Sequence, residues 1–122
     1  MNLLPSLIFA ASLCTAFLPI RAQAECRQAL ALGLDVSGSV DAREYRLQMD
    51  GLAQAVSDPH VQDALLGQPN ALIKLLIFEW SGPNDQHIVV PWTEIKSVED
   101  IGRLTASLQN TQRRIASPGT AL

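Results

Sequence analysis

Ala29-Leu30-Ala31-Leu32-Gly33-Leu34-Asp35-Val36-Ser37-Gly38-Ser39 is the stretch that decides the fold. From Ala29 to Leu34 it is apolar without a break, and it stops abruptly at a carboxylate. A short continuous apolar run of this kind predicts a strand buried on both faces, as in a parallel sheet covered by helices. Val36 to Ser39 then read as a polar, glycine-containing turn. From Asp41 the period changes: Tyr45, Met49, Leu52 and Val56 share one helical face, and Asp41 with Glu44 forms a capping-box pattern. Ser39 is a competing N-cap. The helix is expected to stop near Ser57-Asp58-Pro59, since proline disfavours helix in the residue before it.

Downstream, a short helical piece is expected over Val61–Leu66, ending at Gly67. Ala71–Phe78 carries the strongest strand signal in the chain, and Glu79-Trp80-Ser81-Gly82 follow it. Pro83-Asn84-Asp85 is turn chemistry, and Ile88–Trp92 reads as a hairpin partner whose Pro91 places its end on a sheet edge. Ser97 caps a second amphipathic helix with Val98, Ile101, Leu104 and Leu108 turned inward. Gln109–Gly119 reads as a polar loop. A strand–helix–strand start implies a parallel pair joined by a right-handed crossover. The fold class is therefore α/β, with an open, mostly parallel sheet covered by helices.

The ends and the charge narrow the possibilities. Leu3–Ile20 is almost wholly apolar and is followed by Ala22-Gln23-Ala24, the small-residue pattern of a secretory signal cleaved before Glu25. A membrane anchor is the alternative, because the run approaches the roughly 20 residues that span a bilayer. Pro5, Pro19 and the Ala-x-Ala ending favour the signal, and with it a periplasmic or secreted location. Leu13 precedes Cys14 where a lipid-attachment site wants a small residue. The remainder, 25–122, holds eight basic and twelve acidic residues, a net charge of −4. Its largest basic cluster is Arg113-Arg114, which argues against nucleic acid as a partner. Cys26 is its lone cysteine, a thiol expected to pair with another chain or with a cysteine this sequence lacks.

Asp35, Ser37 and Ser39 are the candidate site. Alternate residues of an extended turn point the same way, and ligands of open parallel sheets bind at the carboxyl ends of the strands. Three hard oxygen donors suit Mg²⁺ or a similar divalent cation. With one carboxylate and neutral hydroxyls, such an ion keeps spare affinity for an acidic group brought by a partner. The alternative is a capped turn, with Ser39 as N-cap and Asp35 accepting backbone N–H bonds.

The Asp-x-Ser-x-Ser element resembles the metal-ion-dependent adhesion site of von Willebrand factor A domains. More narrowly, Leu34–Asp41, Glu44-Tyr45-Arg46, Phe78–Gly82, Pro91-Trp92 and Thr120-Ala121-Leu122 look like a secreted bacterial branch of that superfamily. The resemblance implies a Rossmann-like sheet with the first strand at its centre. It also implies a fourth ligand from Thr120 and an aspartate at the end of a later strand, for which this sequence has no counterpart. On that reading the chain is the N-terminal half of such a domain, with an incomplete C-terminus.

Glu79, at the end of the second strand, is a candidate to orient a metal-bound water; a solvated strand end or a partner for Lys74 are the alternatives. Trp80 and Trp92 read as core or rim packing, and His60 and His87 as surface residues in turns. The function expected is a non-enzymatic binding module that recognises a protein partner's carboxylate through the metal. A product without independent activity is the second reading. A phosphatase-type hydrolase with Asp35 as nucleophile is the third, but Ser37 stands where haloacid dehalogenase-like phosphatases carry a second aspartate. No Gly-x-Ser-x-Gly surrounds Ser37 either.

Overall fold

The computed structural model describes residues 25–68 and 70–115. The expected signal over 1–24, and Thr120, lie outside the described residues. The order of elements is β1 (Glu25–Asp35), α1 (Ala42–Ser57), α2 (Pro59–Leu66), β2 (Ala71–Gly82), β3 (Asp85–Ile95) and α3 (Val98–Asn110). The three strands form one sheet in the order β1-β2-β3. β1 pairs with β2 in parallel, and β2 with β3 antiparallel. The fold is thus α/β around a mixed sheet.

Local chemistry sets each boundary. Asp41 caps α1: its Oδ1 accepts the Arg43 and Glu44 N–H groups at 2.8 Å, while Glu44 accepts the Asp41 N–H at 2.9 Å. Asp58 ends α1 and caps α2 in turn, with Pro59 opening the second helix where its missing N–H costs nothing. α2 therefore starts two residues before the periodicity suggests. Ser97 caps α3 through the Asp100 N–H. At the far end of α3, Arg46 donates to the carbonyls of Leu108 and Thr111, both at 2.9 Å, satisfying groups the helix leaves open.

The core lies on one face of the sheet. Along β2, Ile73, Leu75, Ile77, Glu79 and Ser81 are buried, and they alternate with half-buried residues of the other face. Tyr45, Met49, Ala53 and Val56 of α1 and Ile101, Leu104 and Leu108 of α3 complete the layer. Each fully buried Ile, Leu, Val or Met among them contributes roughly 1.5–3 kcal/mol by leaving water.

Three expectations change. β1 is not buried on both faces: Leu30, Leu32 and Leu34 pack against the core, but Ala29, Ala31 and Gly33 are exposed. The physical reason is that the described helices cover one side of the sheet only. Val98 is 56% exposed rather than inward, because it opens α3 before the helix meets the sheet. β3 is longer than its apolar centre, since polar Asp85–His87 and Thr93-Glu94 also join the ladder.

On the exposed face the Phe78 ring lies directly over Gly33. A Cβ at residue 33 would stand 2.8 Å from the ring's Cζ. Glycine, with no side chain of its own, leaves that spot to the ring.

Candidate metal site

The turn after β1 is pinned by its apolar residue. Val36 is fully buried, and its N–H donates to the Trp80 carbonyl at 2.9 Å, carrying the β1–β2 pairing one residue past Asp35. Asp35 is thereby delivered to the strand tip with an exposed side chain. Its Oδ1 accepts the Ser37 N–H at 2.8 Å. That backbone bond, with help from the Ser37 hydroxyl, holds the Asp35 carboxyl below its ordinary range, so it is ionised at neutral pH. Ser37 is buried, and its Oγ lies 3.5 Å from that of Ser39. The turn closes with the Val40 N–H on the Ser37 carbonyl at 2.9 Å, and Gln48 of α1 donates to the Asp35 carbonyl at 3.1 Å.

Asp35, Ser37 and Ser39 are thus one connected polar group at the carboxyl end of β1. The Asp35 contact is the one a simple capped turn would make. Ser39 is not the N-cap, however; Asp41 takes that role, which leaves the Ser39 hydroxyl uncommitted to α1. Neighbouring ligands on an octahedral Mg²⁺, at 2.0–2.1 Å from the ion, sit about 3 Å apart. The 3.5 Å between the two hydroxyls closes to that spacing by a small side-chain adjustment. One carboxylate and two hydroxyls fit a hard cation that keeps several waters. Among the described residues no group of three or more His, Cys, Asp or Glu side chains comes together, so any cation held here depends on hydroxyl donors.

Glu79 belongs to a different environment from the one its position at a strand end suggests. It is fully buried, on the helix-covered face. Its Oε1 accepts the Tyr45 hydroxyl at 2.6 Å, and its Oε2 accepts the N–H groups of Arg114 and Ile115 at 3.1 and 3.4 Å. Lys74 pairs with Glu94 instead, at 3.2 Å. Burial, and then the Glu79 contact, push the Tyr45 hydroxyl well above its ordinary pKa.

The residue that sequence reasoning missed is Arg113. Read as part of a polar loop, it reaches back to the turn. Its Nη1 donates to the Val40 carbonyl at 2.6 Å; its Nη2 donates to the Val36 carbonyl and to that of Ser37 at 3.3 Å. Its Nε donates to the Ile115 carbonyl at 2.8 Å. The available signal was Ile115, an apolar residue in a polar stretch, which is buried at 7% exposure. Trp80 is half-buried, whereas Trp92 is 51% exposed and not core. His60 and His87 are exposed as expected, but within α2 and β3 rather than in turns. Among the described residues Cys26 is a free, exposed thiol.

A mixed sheet with helices on one face and a carboxylate–hydroxyl turn at its strand tips defines the class: an α/β domain with a candidate site at the sheet's carboxyl edge. The chain belongs to the family described as protein of unknown function DUF1194, whose model matches residues 25–122. No curated protein and no solved structure matches it.

Proposed function

We propose that the chain is an exported binding module of the von Willebrand factor A type. In this reading Asp35, Ser37 and Ser39, joined by Thr120, hold Mg²⁺ or a similar divalent cation that captures a carboxylate on a protein partner. The observation that carries the proposal is the hydrogen-bonded series Asp35–Ser37–Ser39 at the tip of β1, with α1 capped by Asp41 and not by Ser39. The cation supplies a hard Lewis acid with charge to spare, because the protein contributes a single carboxylate. The residues orient it; they present an ionised oxygen and two hydroxyls from a turn fixed before any ligand arrives.

A groove lined by Ser39, Val40, Glu44, Leu47 and Gln48 opens beside the turn, and Leu47 is 60% exposed there. It supports a partner that lays an apolar side chain next to its acidic group. Export is supported by Leu3–Ile20 and the Ala22-Gln23-Ala24 ending. The role is binding, not catalysis.

Calorimetric titration of the full chain with Mn²⁺, as a stand-in for Mg²⁺, tests the reading. Saturable binding that EDTA reverses and that Asp35→Ala lowers at least tenfold is expected. Equal heats for wild type and Asp35→Ala would remove the site.

A further inference from the structure

We propose that Arg113 is the positioning residue of the Asp35 turn: its guanidinium ties that turn to the segment after α3 and thereby sets the turn's affinity for a cation. The inference rests on the cation reading above for its second half, and on geometry alone for its first.

A guanidinium offers five N–H donors in a rigid plane, so it can bind several carbonyls at fixed relative positions. Arg113 spends that plane entirely on backbone. Val36, Ser37 and Val40, three of the five residues between Val36 and Val40, each turn a carbonyl toward it, and its own Ile115 carbonyl takes Nε. Among the described residues it makes no ion pair with a carboxylate. The carbonyls of the turn are therefore committed inward, and the Asp35 and Ser39 side chains are left exposed.

The segment that carries Arg113 is anchored independently. Arg46 holds the Thr111 carbonyl, Glu79 holds the N–H groups of Arg114 and Ile115, and the Ile115 side chain is buried. A fork mounted on a segment fixed at three points is a rigid support. A fork on a free loop would add little.

Two effects oppose each other at the site. Ordering the turn favours a cation, because the donors need not be collected at the moment of binding. The guanidinium's own charge disfavours one. We infer that ordering wins, since Arg113 contacts the carbonyls behind the ligands rather than the ligands.

Amide hydrogen exchange and Mn²⁺ titration of the full chain, in wild type, Arg113→Lys and Arg113→Gln, separate the two halves. Without metal, the Ser37 and Val40 amides of both variants are expected to exchange at least tenfold faster, while the Leu75 and Ile77 amides of β2 keep wild-type protection. Mn²⁺ affinity falls about tenfold or more in both, most in Arg113→Lys, which loses the fork but keeps the charge. Guanidinium ion at millimolar concentration restores part of the protection in Arg113→Gln. Unchanged Ser37 and Val40 exchange overturns the clamp. Loosened amides with Mn²⁺ affinity equal to or tighter than wild type show that repulsion dominates, and overturn the positioning role. Loosened amides in variants of a chain whose wild type binds no Mn²⁺ overturn the cation reading and leave the clamp standing.

Discussion

The two faces of β2 are built from similar residues and treated differently. On one face Ile73, Leu75, Ile77, Glu79 and Ser81 lie under α1 and α3 and are no more than 4% exposed. On the other, Leu72, Leu76, Phe78 and Trp80 are only half-buried, with Lys74 among them. An apolar strand can thus want cover on both sides and, within the described residues, receive it on one. The polar residues sort the opposite way from intuition. The carboxylate of Glu79 is on the covered face, fully supplied with donors, while the aromatic Trp80 is on the open one. Burial follows where the helices lie, and polar groups are tolerated there because each finds a partner.

The largest expected contrast comes from truncation on the two faces. Ile77→Ala should cost about 2–5 kcal/mol, since the side chain is fully enclosed and the cavity cannot collapse. Leu76→Ala should cost about 1 kcal/mol, because water already reaches it. Urea melts of the two variants check this. Equal losses would mean that the second face is covered in solution.

The polar end of the covered face gives the intermediate effect. Tyr45→Phe removes one of Glu79's three donors and should cost about 1–3 kcal/mol. The tyrosine also dictates an alkaline limb. Its folded pKa is raised above the ordinary 10.0, so the native state keeps a proton that the unfolded state releases. This contribution is fully present below pH 10 and is lost as pH rises above it, at roughly 1.4 kcal/mol per unit until the folded group also ionises. The chain has a single tyrosine, so tyrosinate absorbance reports Tyr45 alone. A spectroscopic midpoint at the ordinary value, or an alkaline slope shared by Tyr45→Phe, would contradict the buried contact.

The smallest effect is expected on the open face. In Gly33→Ala the new methyl presses on the far end of the Phe78 ring, which can swing outward, and alanine loses less backbone freedom on folding. The two effects oppose, and the net change should stay within about 1 kcal/mol. A loss above about 2 kcal/mol would show the ring pinned by something on that face.

The sequence was legible where period and capping agree. α1, α3 and the centre of β2 were readable because apolar spacing, the Asp41–Glu44 box and Ser97 mark them in short windows. The Asp35 turn was readable too, being a local pattern that follows an apolar run. What stayed hidden depends on distant chain. Arg113 acts on carbonyls more than seventy positions earlier, and backbone acceptors carry no residue-type signature. Glu79 looks like a solvated strand end until the 114–115 backbone is seen to close over it. The exposed side of β1 escaped notice for the converse reason. Composition reports what a strand would prefer to touch, and not what is present to touch it.

The 111–115 segment is gripped by an acid and itself carries the base that holds the turn, so a lesion at the acid also loosens the mount of the base. Substitutions at Glu79 and Arg113 should therefore be tolerated or rejected together. Drift among relatives is expected to leave paired changes at these two sites, although no ion pair joins the two side chains.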